Sequence, residues 1–259
     1  MRMLYVYTAV LIGIIAVASV SVYWWYTTNQ SMSSKVLVVG TSPDYPPYES
    51  LDDKGRYTGF DVDLIHIIAG RLGWQVQWKD MAFDILVGSL QQGKIDAVIS
   101  AMSITSARQQ QVDFSIPYFT TEFAVLKRSV STINLTVPKD MINYTIGTQS
   151  GSIQYEYLTQ WINSSELDPS KVSLFERFDQ AVLDLAAGRV DLVLCEKPFA
   201  IKMSTLQPVI TALIFPSPDP GIGIALQKGD TRLTDINSVI SDLKSTGIID
   251  AMAVAWLAG

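Results

Sequence analysis

The sequence is poor in the residues that build metal and redox sites, with one cysteine and one histidine among 259 residues. One cysteine cannot form an internal disulfide, and one cysteine with one histidine cannot make a zinc site. The 19 Lys and Arg are outnumbered by 25 Asp and Glu, giving a net charge of −6, whereas nucleic-acid-binding proteins usually have a clustered basic surface. We therefore expect no nucleic-acid partner, no metal and no cofactor. The lone His66 lies in a predicted helix, which argues against Ser-His-Asp catalysis.

Charge is also absent from the N-terminal segment between Met3 and Ser34. Its residues 4–23 are uncharged and about long enough to cross a bilayer core as a helix, and the aromatic run 23–26 follows where an interfacial belt would lie. Arg2 favours an internal N-terminus and an external body. A cleaved signal peptide, with small residues at 16–18, is the alternative. Residues 1–34 are predicted to be a signal peptide or a membrane anchor with its tether, so we expect the body to be extracytoplasmic.

Asparagine is scarce, yet four of the five Asn residues begin an Asn-x-Ser/Thr pattern: Asn29, Asn134, Asn143 and Asn163. Each pattern alone is a weak signal for N-glycosylation. Four together are typical of an exported surface that carries glycans.

The body repeats itself at an offset of 95 residues. Phe83-Asp84, followed by the run Gly-Lys-Ile-Asp at 93–96, recurs as Phe178-Asp179 followed by Gly-Arg-Val-Asp at 188–191. Two copies at this spacing indicate two similar lobes, because solenoid repeats are shorter and more numerous. Each copy predicts a helix, a glycine turn and a buried strand.

Strands and helices alternate along the body, which predicts α/β lobes with mostly parallel sheets flanked by helices. The strands are predicted at 36–40, 95–100, 144–147 and 190–194, and helices at 61–72, 83–92, 233–243 and 247–257. In such sheets, ligands bind beyond the carboxyl ends of the strands. Polar residues follow each predicted strand, among them Ser42, Ser103, Gln149 and Glu196.

Arg108 is the most informative of these polar residues. Thr105 is predicted to cap a helix and to place Arg108 in its first turn, where a cation is unfavourable unless an anion binds there. A bound carboxylate would pair with the guanidinium through two hydrogen bonds. An ordinary surface arginine, paired with Asp113 or solvated, is the alternative. The loop 150–152 opens another predicted helix, whose N-terminal N–H groups also suit an anion.

Glu196 has the opposite character, since a carboxylate directly after a buried strand can receive an ammonium group. It can equally form a structural salt bridge with Lys197 or Arg177. Tyr45 and Phe83 could supply apolar walls for a small pocket, although packing in the core is the commoner role of an aromatic side chain. Together these groups describe a receptor for a free α-amino acid.

Several motifs, in order along the chain, give the body a specific resemblance. The run GFDVDL at 59–64, Gly93 to Asp96, Ser103 to Arg108 and the run VDFS at 112–115 resemble the amino-acid-binding proteins of ABC importers, the family-3 solute-binding proteins. The resemblance extends from Lys35 to the C-terminal helices. It implies the two-lobed periplasmic-binding-protein fold of type II, with two hinge strands and closure on the ligand.

The resemblance also implies an organisation into lobes: 35–125 and 215–259 form the first, and 126–214 form the second. Hinge residues are expected near 123–127 and 214–221. The implied partners are a free amino acid and the membrane subunits of an ABC importer, and we expect a monomer.

Carried over residue by residue, the resemblance assigns Arg108 and the Ile153 N–H to the ligand carboxylate. The Ser103 hydroxyl, the Ala101 carbonyl and above all Glu196 would hold the amino group. The remaining assigned residues surround the ligand side chain: Tyr45 and Phe83 as a sandwich, and Ser42, Gln149 and Cys195 as a mostly neutral pocket.

This sequence departs from the family pattern at two of these positions. The family usually has Asp where Glu196 stands, and its histidine- and lysine-binding members often carry Asp where Ser42 stands. Glu196 can bind the amino group but reaches further than Asp, which leaves the exact ligand open. Ser42 deprives a basic ligand of its usual partner, and with Gln149 and Cys195 it favours a neutral polar amino acid.

Two further functions remain open from the sequence. Some relatives on this fold are periplasmic dehydratases that use a pocket carboxyl as general acid, and Glu196 could act in that way. An extracellular ligand-sensing domain is the other alternative.

Overall fold

The computed structural model describes residues 35–257. The predicted membrane anchor or signal peptide, and Asn29 within it, lie outside the described residues. Within 35–257, no helix is both long and apolar enough to span a membrane.

The described residues form strands in the order β1 (Lys35–Thr41), β2 (Asp44–Tyr45), β3 (Glu49–Leu51), β4 (Tyr57–Thr58), β5 (Trp74–Asp80), β6 (Ala97–Val98), β7 (Asp113–Phe114), β8 (Glu122–Arg128), β9 (Ile146–Gln149), β10 (Val172–Phe175), β11 (Leu192–Glu196), β12 (Val209–Pro216) and β13 (Ala225–Leu226). The α-helices are α1 (Phe60–Leu72), α2 (Leu86–Gln91), α3 (Ser106–Gln109), α4 (Ile153–Asn163), α5 (Phe178–Ala187), α6 (Lys197–Leu206), α7 (Arg232–Ser245) and α8 (Ile248–Leu257). Short 3₁₀ turns occur at Phe83–Ile85, Pro138–Asn143 and Pro169–Lys171.

Two five-stranded mixed sheets define two lobes. The first lobe has the order β5-β1-β6-β13-β7 and the second has β10-β9-β11-β8-β12, while β2, β3 and β4 form a small separate sheet. In each lobe the strand that follows the repeated helix and glycine turn pairs in parallel with an earlier strand of the same sheet: β6 with β1, and β11 with β9. The predicted α/β fold with two lobes is confirmed.

The repeated segments have the predicted order of helix, glycine turn and strand. Gly93 and Gly188 both adopt left-handed φ values, +67° and +78°, which end the helices and turn the chain back to the sheet. The strand after Gly93 is shorter than predicted, because only residues 97–98 join the ladder. The helix predicted at 83–92 begins as a 3₁₀ turn before α2.

Strands β8 and β12 pair with each other in the second sheet from Glu122 to Arg128. The predicted lobe boundaries at 125/126 and 214/215 therefore fall inside these strands. The chain passes between the sheets just outside them, near Phe119 and Ile222, which form a bridge in the first lobe.

Two apolar cores cover the two faces of the second sheet. On one face, α5 and α6 pack through Phe178 and Phe199 into a core that is continuous with the first lobe. On the other face, α4 packs through Leu158 against a separate cluster that includes Phe123 and Phe215.

Candidate functional site

A cavity lies between the two lobes, at the carboxyl ends of β1, β6, β9 and β11. It is lined by Ser42, Asp44, Tyr45, Glu49, Phe83, Ser100, Ala101 and Ser103 of the first lobe and by Gln149, Ser152, Ile153, Gln154, Phe178 and Glu196 of the second. Ligands are expected at this edge of an open α/β sheet. Eight of the predicted ligand-binding residues are brought together here: Ser42, Tyr45, Phe83, Ala101, Ser103, Gln149, Ile153 and Glu196.

Glu196 ends β11 as a buried carboxylate in the cavity wall. Its predicted alternative partners are engaged elsewhere, because Lys197 pairs with Glu122 at 2.7 Å and Arg177 with Asp80 at 2.7 Å. Oε2 of Glu196 has no partner within hydrogen-bond geometry among the described residues, and the Tyr48 hydroxyl, which has none either, is near enough to act to lower the pKa of Glu196. Burial, reinforced by the charge of Asp219, raises the pKa of Glu196 well above its usual value. The raised pKa favours the neutral acid in the absence of a cation, because an unpaired buried carboxylate is costly. A cation bound at this oxygen would stabilise the carboxylate form.

Arg108 lies beside the cavity, on the first turn of α3, where Thr105 caps the helix as predicted. Its Nη1 donates to the Ser103 carbonyl at 2.6 Å and its Nη2 to the Gly151 carbonyl, in the second lobe, at 3.0 Å. The guanidinium lies over the Phe83 ring, 5.3 Å from its centroid. Burial lowers the pKa of Arg108 to about 10, so the group stays charged at neutral pH. A guanidinium has five N–H donors, and two are used here, which leaves donors for an anion.

Helix α4 begins at the cavity. Ser152 is its N-cap, and the Ser152 side chain accepts the Tyr155 N–H at 3.2 Å. The first N–H groups of a helix have no acceptor within it, which leaves those of Ile153 and Gln154 available where these residues line the cavity. The helix dipole adds a positive potential at this end, so α4 and Arg108 both favour an anion.

Ala101 has a left-handed backbone, with φ of +43°, which is strained for a residue with a side chain and is typical of functional sites. Asp61 fixes this conformation by accepting the Ala101 N–H at 2.7 Å, and Asp61 also accepts the Tyr118 hydroxyl at 2.8 Å. Glu49 lines the cavity beside Ala101; its Oε1 accepts the Ser100 hydroxyl at 3.0 Å, and its Oε2 has no partner among the described residues. Burial raises the pKa of both Asp61 and Glu49. These two acids were visible in the sequence, but their positions, Glu49 in the cavity wall and Asp61 beneath it, were not.

Six residues of the cavity lining were absent from the predicted ligand-binding set: Asp44, Glu49, Ser100, Ser152, Gln154 and Phe178. Asp44 is the one among them that binds the other lobe through its carboxylate. Its carboxylate accepts the Phe178 N–H at 2.6 Å, the Gln149 Nε2 at 3.2 Å and the Ser42 hydroxyl. Arg177 lies 3.7 Å away. Burial is the largest cause that raises the pKa of Asp44, from 3.8 to about 6. A carboxylate of the first lobe is therefore bound by two donors of the second.

Tyr45 lines the cavity and also joins the lobes. Its ring stacks on Phe199 of the second lobe at 4.3 Å and lies 4.6 Å from Phe178. Its hydroxyl accepts the Glu196 N–H at 2.8 Å. The aromatic wall is thus part of the contact between the lobes.

Cys195 was expected to complete the side-chain pocket, but the structure places it outside the cavity wall. Successive residues of a strand point to opposite faces, so Glu196 reaches the cavity and Cys195 does not. The Cys195 thiol donates to the Ala124 carbonyl at 3.6 Å within the core. Nothing in this packing brings the thiol to a ligand.

Residues 37–259 match the family model of the bacterial extracellular solute-binding proteins, family 3. A curated relative, the lysine/arginine/ornithine-binding periplasmic protein of Escherichia coli (strain K12), is 32% identical over 224 residues, covering 83% of this chain and 85% of the relative. Named relatives of this chain are thus amino-acid-binding periplasmic proteins.

Solved structures of the same kind match the fold. An ancestral arginine-binding protein bound to arginine is 33% identical, with a TM-score of 0.78 over 85% of this chain and 97% of that one. A second structure, an ancestral arginine-binding protein bound to glutamine, is 33% identical, with a TM-score of 0.75 over 86% of this chain and 98% of that one. The ancestral amino acid-binding protein AncCDT-1, described as a precursor of cyclohexadienyl dehydratase, is 28% identical with a TM-score of 0.75 over 86% and 95%. Each of these is described as a binding protein.

Proposed function

The chain belongs to family 3 of the bacterial extracellular solute-binding proteins, and from that premise we propose that it binds a free L-amino acid outside the cytoplasm and delivers it to an ABC importer. The observation that carries the proposal is the buried Glu196 carboxylate in the cavity wall, with Oε2 unpartnered among the described residues. An ammonium group placed there supplies both the missing charge and the missing donor. The Ser103 hydroxyl and the Ala101 carbonyl complete the ammonium site.

The ligand carboxylate binds at the other end of the site. Arg108 offers its remaining N–H donors, and α4 offers the N–H of Ile153 with its positive dipole end. Arg108 and Glu196 lie close enough for each charge to shift the pKa of the other. A zwitterion laid between them neutralises both buried charges.

The side-chain end of the cavity favours a neutral polar group. Oδ1 of Asp44 accepts the Ser42 hydroxyl, and Oδ2 accepts two donors of the second lobe. A ligand cation therefore finds no free carboxylate in Asp44. Burial and the charge of Asp61 raise the pKa of Glu49, which favours its neutral form. Glutamine, which is bound in one of the similar structures, fits this description better than arginine does.

Release and capture of the ligand require the lobes to separate. The contacts of Asp44, Tyr45 and Arg108 with the second lobe exist only when the lobes are together, so we propose that they stabilise the closed form. The hinges lie where the chain enters β8 and leaves β12.

The proposal is tested by a thermal-shift screen of the free L-amino acids, combined with mass spectrometry of any ligand that co-purifies. A free amino acid should raise the unfolding temperature, while its methyl ester and its N-acetyl derivative should not. No response to any free amino acid would overturn the proposal. NMR of the ligand after incubation separates binding from a dehydratase-like reaction, because a binding protein returns the ligand unchanged.

A further inference from the structure

Asparagine occurs in this chain almost entirely within the pattern Asn-x-Ser/Thr. Ser and Thr make up 43 of the 259 residues, so about one Asn in six would carry the pattern by chance. Four of the five Asn residues carry it. This excess over chance indicates that the asparagines have a function as part of the pattern.

The structure shows three of these asparagines at the surface: Asn134, Asn143 and Asn163 are all exposed. Asn237, which lacks the pattern, differs in its role. It is half-buried, and its Oδ1 accepts the Ile116 N–H at 2.8 Å. Among the described residues, Asn134 and Asn163 make no such hydrogen bond, and Asn143 makes one to the Asp140 carbonyl within its own turn.

The topology of the second lobe places all three at one end of it. Strand β8 starts beside the cavity, where Phe123 pairs with Glu196, and runs away from it to Lys127, which pairs with Leu192. Asn134 follows the far end of β8. Strand β9 runs in the opposite sense, because Asn143 precedes it and Gln149 ends it at the cavity.

Helix α4 places the third asparagine, Asn163, at the same end of the lobe. Ile153 begins the helix at the cavity, and Asn163 ends it ten residues later, about 15 Å along the axis. An ion pair between Lys139 and Glu166 joins the turn before Asn143 to the loop after Asn163. The three sites therefore form one group at the end of the second lobe that is remote from the cavity.

We infer that Asn134, Asn143 and Asn163 are N-glycosylated and that they make this end of the second lobe a glycan-bearing surface. The donor is an oligosaccharide joined through its C1 to a lipid phosphate or diphosphate. The amide Nδ2 displaces the phosphate: the Nδ2–C1 bond forms, the C1–O bond breaks, and the amide proton is lost to a base. No oxidant or reductant takes part. The residue two positions on is Thr136, Thr145 or Ser165, which supplies the hydroxyl of the pattern.

Glycans at this end are compatible with ligand binding. The asparagines are absent from the cavity lining and from the hydrogen bonds between the lobes that involve Asp44, Tyr45 and Arg108. The inference therefore does not depend on which ligand is bound.

The test is glycopeptide mass spectrometry of the full chain purified from the membranes or medium of its source organism. Cleavage at Lys139 separates Asn134 from the other two, and cleavage at Glu156 separates Asn143 from Asn163. We expect a sugar mass on each of the three peptides, located on the asparagine by fragmentation. An asparagine found unmodified is removed from the proposal, and three unmodified asparagines overturn it.

Variants test whether each glycan depends on the Asn-x-Ser/Thr pattern. Asn163→Gln and Ser165→Ala should each remove the same glycan, whereas Thr136→Ser keeps the pattern and should leave the glycan of Asn134 in place. A sugar mass that survives the Asn→Gln changes, on Ser or Thr instead, contradicts the inference. If a variant does not accumulate, the peptide map of the unaltered chain decides the question.

Discussion

The hydroxyl of Tyr45, in the first lobe, accepts the backbone N–H of Glu196, in the second, at 2.8 Å. The same Tyr45 ring lines the cavity and stacks on Phe199 at 4.3 Å. One side chain thus forms a wall of the site, holds the other lobe, and satisfies the backbone of the residue proposed to bind the ligand ammonium. We therefore expect ligand binding and lobe closure to be coupled through Tyr45.

Tyr45→Phe should weaken ligand binding while it preserves the ring stacking. The change leaves a buried N–H without an acceptor in the closed form, which costs about 1–3 kcal/mol, or roughly a 5- to 150-fold loss of affinity. Isothermal titration calorimetry measures it. The control is Tyr157→Phe, which should bind the ligand normally. Tyr157 is a half-buried tyrosine of the second lobe that packs against Phe123 and Phe215. If both variants bind the ligand with equal affinity, the Tyr45 hydroxyl does not contribute to closure of the lobes.

Gly151→Ala should also impair binding, by blocking closure. A Cβ at Gly151 would lie 2.9 Å from Cβ of Asp84, which belongs to the other lobe. The clash exists only when the lobes are together, so we expect a loss of affinity of tenfold or more, measured by calorimetry.

The control for this change is Gly247→Ala. Gly247 has φ of +72°, nearly that of Gly151 at +71°, and a Cβ there meets nothing within 4 Å. Both variants carry the same backbone strain, about 1 kcal/mol, and should lose similar stability. If Gly247→Ala reduces affinity as much as Gly151→Ala, the clash between the lobes is not the cause.

Asp44→Asn should change how stability depends on pH. The pKa of Asp44 is raised from 3.8 to about 6, so the folded form holds this proton more tightly than the unfolded chain does. The contribution is fully present below pH 3.8 and is lost as the pH rises through 6. The shift corresponds to about 3 kcal/mol. Urea denaturation at pH 4 and pH 7 should show the variant gaining stability relative to the unaltered protein as the pH rises. A difference that stays constant with pH would contradict the assignment.

Arg108→Lys should lose most of the affinity although it keeps the positive charge. An ammonium cannot hold the Ser103 and Gly151 carbonyls and a ligand carboxylate with the fork geometry of a guanidinium. We expect a loss of about 2–3 kcal/mol, from charged hydrogen bonds worth about 1.5–3 kcal/mol each. Arg71→Lys alters a surface arginine paired with Asp242 and should bind normally. Unchanged binding by Arg108→Lys would place the ligand carboxylate elsewhere.

Local features of the site were predictable from the sequence because their causes lie within a few residues. Thr105 caps the turn that carries Arg108, and Ser152 caps α4. The placement of Glu196 after β11 follows from the order of strand and polar residue. The family resemblance supplied the two lobes that bring these groups to one cavity.

The role of Asp44 was not predictable in the same way. Its partners Phe178 and Gln149 are 134 and 105 residues away, so no local pattern shows them. The placement of Cys195 was missed for a different reason. Cys195 is adjacent to Glu196 in the sequence, which suggests that it lies near the cavity. Because successive side chains of a strand point to opposite faces, Cys195 points into the core instead.

The most direct test of the account is the affinity of Glu196→Gln for the amino acid found by the screen and for the analogue of that amino acid lacking the α-amino group. Calorimetry on both proteins and both ligands gives the coupling between Glu196 and the ammonium. The account predicts that the variant binds the amino acid at least tenfold more weakly, about 1.4 kcal/mol or more, but binds the analogue no more weakly than the unaltered protein does. Equal binding of the amino acid by both proteins would contradict it.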